Sequence, residues 1–108
     1  MTPKIIKFGS IATMARLEEW YRAQCNGDWE HTYGISIETL DNPGWSVEIE
    51  VKDTLLYGVP FATVERVILL DVDWLRCEVM DGVFRGSGGI GRLAEILELF
   101  LNWADEHR

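Results

Sequence analysis

Two alternating runs on either side of a turn constrain this chain most. Tyr33, Ile35, Ile37 and Thr39 fall on one side of an extended segment, with Ser36 and Glu38 on the other. Beyond Asp41-Asn42-Pro43-Gly44 the period of two resumes. Trp45, Val47, Ile49 and Val51 point inward, while Ser46, Glu48, Glu50 and Lys52 point outward. Successive side chains of a strand face opposite ways, so the pattern predicts an antiparallel hairpin with one buried and one wet face. A slip of one residue would oppose a buried face to a wet one. The expected register puts Ile37 near Ile49 and Ile35 near Val51. It therefore brings Glu38 near Glu48, with Glu50 on the same outer face.

The flanking segments extend this frame. Ser10 or Thr13 can cap a first helix, because a side-chain oxygen there can accept an orphan backbone N–H. Met14, Leu17, Tyr21 and Gln24/Cys25 recur at three- and four-residue spacing, with Trp20 beside them. Asn26-Gly27 ends that helix, since glycine tolerates the left-handed conformation. Further on, Thr54-Leu55-Leu56-Tyr57 reads as a short strand and Gly58-Val59-Pro60 as a turn. Over residues 61–70, β-branched residues and the entry proline favour a strand. A helix is the alternative, since Val64, Val67 and Ile68 also fit one helical face. Asp73–Met80 alternates, Asp81-Gly82 is a hairpin turn, and Val83-Phe84-Arg85 returns. Leu93, Ile96, Leu97, Phe100, Leu101, Trp103 and Ala104 form a broad apolar stripe on a last helix. This order predicts an α+β fold, with an antiparallel sheet of about four to six strands and the N- and C-terminal helices packed on one face.

The 108 residues suit one domain, spanning 1–108, and 47% of them are apolar, enough for a core without a metal or disulfide staple. Eighteen acids against ten bases give a net charge of −8. That sign repels phosphate backbones and anionic lipid, which argues against direct nucleic-acid binding and against a membrane surface. It attracts a basic protein partner and speeds its approach. No secretory signal is visible, and the longest apolar run, Val67–Leu70, is far too short to span a bilayer. A cytoplasmic protein with reduced thiols at Cys25 and Cys77 is the expectation.

Four features invite a chemical reading. Gly86-Ser87-Gly88-Gly89-Ile90-Gly91 resembles a phosphate loop only superficially: no Lys-Ser/Thr pair follows and no βαβ context surrounds it. A strand-to-helix turn fits better. Cys25, Asp28 and His31 could form a small catalytic set for a hydrolase or transferase, the main alternative function. They lack an orienting group and an oxyanion hole. Zinc would want three or four ligands, and Cys77 and His107 are the only other Cys and His. Neither metal, cofactor nor enzyme activity is expected. Glu38, Glu48 and Glu50 on one open face lack the cleft that paired catalytic carboxylates need. A solvated face is the plain reading of those acids, and a docking surface for a basic partner the sharper one. A generic scaffold or oligomerisation module is the third function considered.

A resemblance runs through the same residues. Trp20-Tyr21, Gln24-Cys25-Asn26-Gly27-Asp28-Trp29-Glu30-His31, Tyr33-Gly34-Ile35 and Thr39–Trp45 occur in the order seen in the immunity protein 53 family of bacterial polymorphic toxin systems. Asp73–Cys77, Phe84–Gly89 and Leu93–Trp103 continue the likeness, which spans the chain from about Leu17 to Trp103. The resemblance implies a small cytoplasmic protein, encoded beside a delivered toxin, that binds the toxin's catalytic domain and blocks it. It implies no catalysis and no cofactor.

The candidate toxin-binding residues follow from charge and position. They are Glu38, Glu48 and Glu50 on the sheet face, Asp41 and Asn42 at the turn, and Asp28 and Glu30 after the first helix. Trp29, lying among polar residues, is the expected aromatic anchor. The expected partner is a basic toxin domain, such as a nuclease, whose phosphate subsites the acids would fill. Specific inhibition would bury on the order of 1,200–2,000 Å² in total.

Overall fold

The computed structural model describes residues 8–107. Helix α1 (Phe8–Gln24) and a single helical turn α2 (Trp29–Thr32) precede strands β1 (Ile35–Leu40), β2 (Gly44–Glu50), β3 (Val64–Leu69), β4 (Asp73–Met80) and β5 (Val83–Gly88). Helix α3 (Leu93–Glu106) follows. The strands form one antiparallel sheet in the order β1-β2-β5-β4-β3, so β1 and β3 are its edges. The architecture is the expected α+β arrangement, and residues 64–69 are strand rather than helix.

One face of the sheet is covered. Val47, Ile49, Leu75, Cys77 and Phe84 are buried from the sheet side, and Ile96, Leu97, Phe100 and Leu101 from α3. Close approach is possible because β5 carries glycine at its contact with the helix. A Cβ on Gly86 would collide with Ile96 Cγ2. Edge-to-face ring contacts then run from Trp20 through Phe100, Phe84 and Phe61 to Trp103, with neighbouring centroids 4.9–5.5 Å apart. Helix α1 packs on α3: the Thr13 hydroxyl donates to Glu98 (3.0 Å), and Arg16 reaches Asn102 and Asp105.

Several local expectations are corrected. Ser10 and Thr13 both lie inside α1 rather than ahead of it. The buried stripe of α1 runs through Thr13 and Trp20, leaving Met14 and Tyr21 exposed. Glu98 gives Thr13 a hydrogen-bonding partner, which lets a polar residue take the inward position. Gly27 does end α1, at φ 96°. The extra turn of α2 follows because Asn26 Oδ1 accepts from the amides of Asp28 and Trp29. Residues 52–58 form successive turns rather than a strand.

The β1–β2 register is displaced by two residues: Ile35 opposes Ile49, and Ile37 opposes Val47. Leu40 pairs with Gly44 across the three residues Asp41-Asn42-Pro43. A shift of two keeps every side chain on its face, so the turn closure rather than the hydrophobic pattern decides it. Glu38 consequently opposes Ser46, and Glu48 opposes Ser36 and Arg85. Like charges are thereby kept from facing each other directly.

Candidate functional site

The sheet face opposite α3 carries no covering element among the described residues. Its composition follows from the ladder, because the residues between the buried ones must point the other way. One row across it is Glu38, Ser46, Ser87, Arg76 and Glu65; the next is Ser36, Glu48, Arg85 and Glu78. Glu50 begins a third row with Val83 and Met80. Acids outnumber bases here, and both arginines are already paired. Arg76 bridges Glu65 and Glu78, and Arg85 Nε lies 3.5 Å from Glu48. The result is an acid-dominated surface with no uncompensated cation in those rows.

The candidate residues divide between the two ends of this face. Glu38, Asp41, Asn42 and Glu48 are exposed on β1, β2 and the turn between them. Glu38 and Asp41 make no ion pair among the described residues. Glu50 is half-buried, and its carboxylate accepts the Gly34 amide at 2.8 Å, so it helps pin the start of β1. Asp28 is exposed just before α2, and its side chain makes no capping bond.

Two candidates prove structural. Glu30 turns back to accept the amides of Asn26 (2.9 Å) and Gly27 (2.8 Å). Its own backbone amide, together with those two, holds its carboxyl below the usual carboxylate range. Trp29 is 2% exposed. Its ring sits edge-on to Trp20 at 5.8 Å, and its indole donates to the Lys52 carbonyl at 3.0 Å. The expected anchor is therefore a core residue. The polar side chains around it satisfy local backbone groups, which leaves the indole to turn inward.

The alternative catalytic set does not assemble. The Cys25 thiol bonds back to the Tyr21 carbonyl, and Asp28 and His31 are joined only through their backbones, the His31 amide donating to the Asp28 carbonyl at 3.1 Å. The depression beside Cys25 is lined by Glu18, Tyr21 and Arg22, without Asp28 or His31. Burial pushes the Cys77 thiol up to about 11, away from the thiolate a nucleophile requires. Among the described residues no group of three or more His, Cys, Asp or Glu could hold a metal ion. No helix among them is long and apolar enough to cross a membrane. The glycine-rich run is a packing device: side chains at Gly88 and Gly89 would collide with the Trp74 and Val72 carbonyls.

Sequence reasoning missed one surface feature. Val67, Ile68, Leu69, Leu70 and Val72, at the end of β3 and its turn into β4, are all exposed. The uninterrupted apolar run 67–70 was the available signal, but such a run normally marks a doubly buried strand. Here it lies on a sheet edge.

No curated protein matches the chain, and no solved structure does. The sequence model of immunity protein 53 matches residues 14–105, from the middle of α1 to the last turn of α3. That match spans most of the chain, which therefore belongs to the immunity protein 53 family.

Proposed function

We propose that this protein neutralises a cognate toxin by stoichiometric binding to the toxin's catalytic domain, a basic one such as a nuclease. Family membership supplies the class of partner. The observation that carries the electrostatic part is the open sheet face, in whose paired rows Glu38, Glu48, Glu50, Glu65 and Glu78 stand against Arg76 and Arg85. Glu38 and Glu48, with Asp41 and Asn42 at the adjoining turn, are the toxin-facing residues of this reading, and Asp28 extends it past α1. Acidic side chains presented this way take the place of phosphate groups in a basic site and steer the approach of the two proteins. Inhibition needs no bond chemistry from the inhibitor, which matches a cytoplasmic partner that protects by occupancy alone.

The test is co-purification with the toxin domain encoded beside it, followed by a growth-rescue assay. Glu38→Lys combined with Glu48→Lys should lower the association rate by about 10-fold or more at low salt. Both side chains are exposed, so circular dichroism should not change. Glu50 is left intact because it holds the Gly34 amide. Full rescue with an unchanged association rate would remove the sheet face from the interface.

A further inference from the structure

The strand ends at one end of the sheet come together on a second surface. The C-terminal ends of β1, β3 and β5 and the N-terminal ends of β2 and β4 lie at the same end, as the antiparallel pairing requires. Three connections meet there. A side chain at Gly44 would collide with the Gly88 carbonyl, and one at Gly89 with the Val72 carbonyl. The Trp45 indole donates to the Ile90 carbonyl at 2.8 Å. The turns at 41–43 and 70–72 therefore flank the loop carrying Ile90.

We propose that the β3–β4 tip and Ile90 form the aliphatic anchor by which this chain holds its toxin, within an interface continuous with the Asp41–Asn42 turn. This rests on the reading of the protein as a toxin inhibitor. Leu70 is 73% exposed, Ile90 65% and Val72 61%, with Ile68 and Leu69 more than half exposed beside them. Scattered exposed aliphatics are ordinary, whereas a contiguous group at one end of a sheet marks an interaction site.

Charge selects the occupant. Two cations on the elements adjoining the tip are neutralised within the fold: Arg66 pairs with Glu95, and Arg92 clamps Asp73 through two bonds of 2.6 and 2.8 Å. Asp41 and Asp71 at the same end are exposed and make no ion pair among the described residues. An apolar centre with a negative rim fits a protein surface with an apolar pocket ringed by lysine or arginine.

A second copy of the chain fits poorly. Two copies meeting here would press one acidic rim against the other at a net charge of −8 each. Strand addition is opposed as well. The β3–β4 ladder is broken between Val67 and Leu69, an irregularity of the kind that protects sheet edges.

The experiment measures binding of the wild type, Leu70→Asp/Ile90→Asp and Leu70→Ala/Ile90→Ala to the catalytic domain of the neighbouring toxin. Sedimentation of each protein alone is run in parallel. The expected result is a Kd raised by about 30-fold or more in the aspartate pair, chiefly through faster dissociation, with a smaller loss of the same sign in the alanine pair. The alanine pair carries the result if the aspartate pair does not fold. Wild type that binds while both pairs bind within about 3-fold of it would overturn the anchor and leave the inhibitor reading intact. Wild type that does not bind the toxin would overturn both. A wild-type dimer abolished by these substitutions would assign the patch to a second copy and overturn the proposal.

Discussion

At Gly86 the sheet comes so close to α3 that a methyl group would collide with Ile96 Cγ2 and stand 3.3 Å from both Cys77 Sγ and Phe84 Cε1. None of these can yield easily, since Ile96, Cys77 and Phe84 are all fully buried. Gly86→Ala should therefore destabilise the fold by about 1–3 kcal/mol, as overpacking does elsewhere. In a urea titration the midpoint should fall at unchanged slope. An unmoved midpoint would mean that the helix can lift from the sheet at no cost. The glycine's role was not legible beforehand, because the requirement comes from a helix seven or more residues away in sequence. Trp29 was misread for a related reason. Its neighbours are polar, but Asn26 and Glu30 spend their polarity on adjacent backbone amides. Sequence shows that such groups are present; it does not show which backbone groups they satisfy.

Elements were more legible than contacts. Asp81-Gly82 turns with φ of 54° and 74°, both left-handed, as a two-residue hairpin connection of this composition demands. The two alternating runs gave β1 and β2 their faces but not their register, since a displacement of two residues is invisible to a period of two. Residues 61–70 were ambiguous because an edge strand that is exposed on both sides lacks the alternation that separates strand from helix. Beside that edge, β4 and α3 are fastened by a bidentate pair: Arg92, just before α3, holds both oxygens of Asp73, the first residue of β4. The Arg92 guanidinium keeps the Asp73 carboxyl below its ordinary 3.8. A depressed carboxyl contributes stability above its unfolded pKa and loses it as pH falls through the folded one. The advantage of wild type over Asp73→Asn should thus be constant from neutral pH down to about 5, then shrink as the pH falls below 3.8. Thermal melts across this range check it. A difference that grows on acidification would place the pair's role elsewhere.

Over the described residues, the arginines are neutralised within the fold while many acids are not. Every arginine among the described residues is ion-paired: Arg16 to Asp105, Arg22 to Glu19, Arg66 to Glu95, Arg76 to Glu65 and Glu78, Arg85 to Glu48, and Arg92 to Asp73 and Glu95. The excess of −8 therefore rests on acids without a cation partner, among them Asp28, Glu38, Asp41 and Asp71. Most such pairs contribute little to stability when exposed; their larger consequence is that a basic partner meets no uncompensated arginine among the described residues. Composition alone gave the sign of the field, and the fold shows that it is not cancelled locally. Salt separates this long-range contribution from the apolar one. The Debye length shrinks from about 30 Å at 0.01 M to about 3 Å at 1 M. Association with the toxin domain should slow by about 10-fold or more across that range, while dissociation, governed by contacts at the Leu70–Ile90 tip, should change much less. Stopped-flow mixing and surface-capture dissociation measure the two rates separately. Association that ignores salt would leave the aliphatic tip as the sole basis of recognition, and dissociation that accelerates with salt as steeply as association slows would make the acids, rather than the tip, the contacts that hold the complex together.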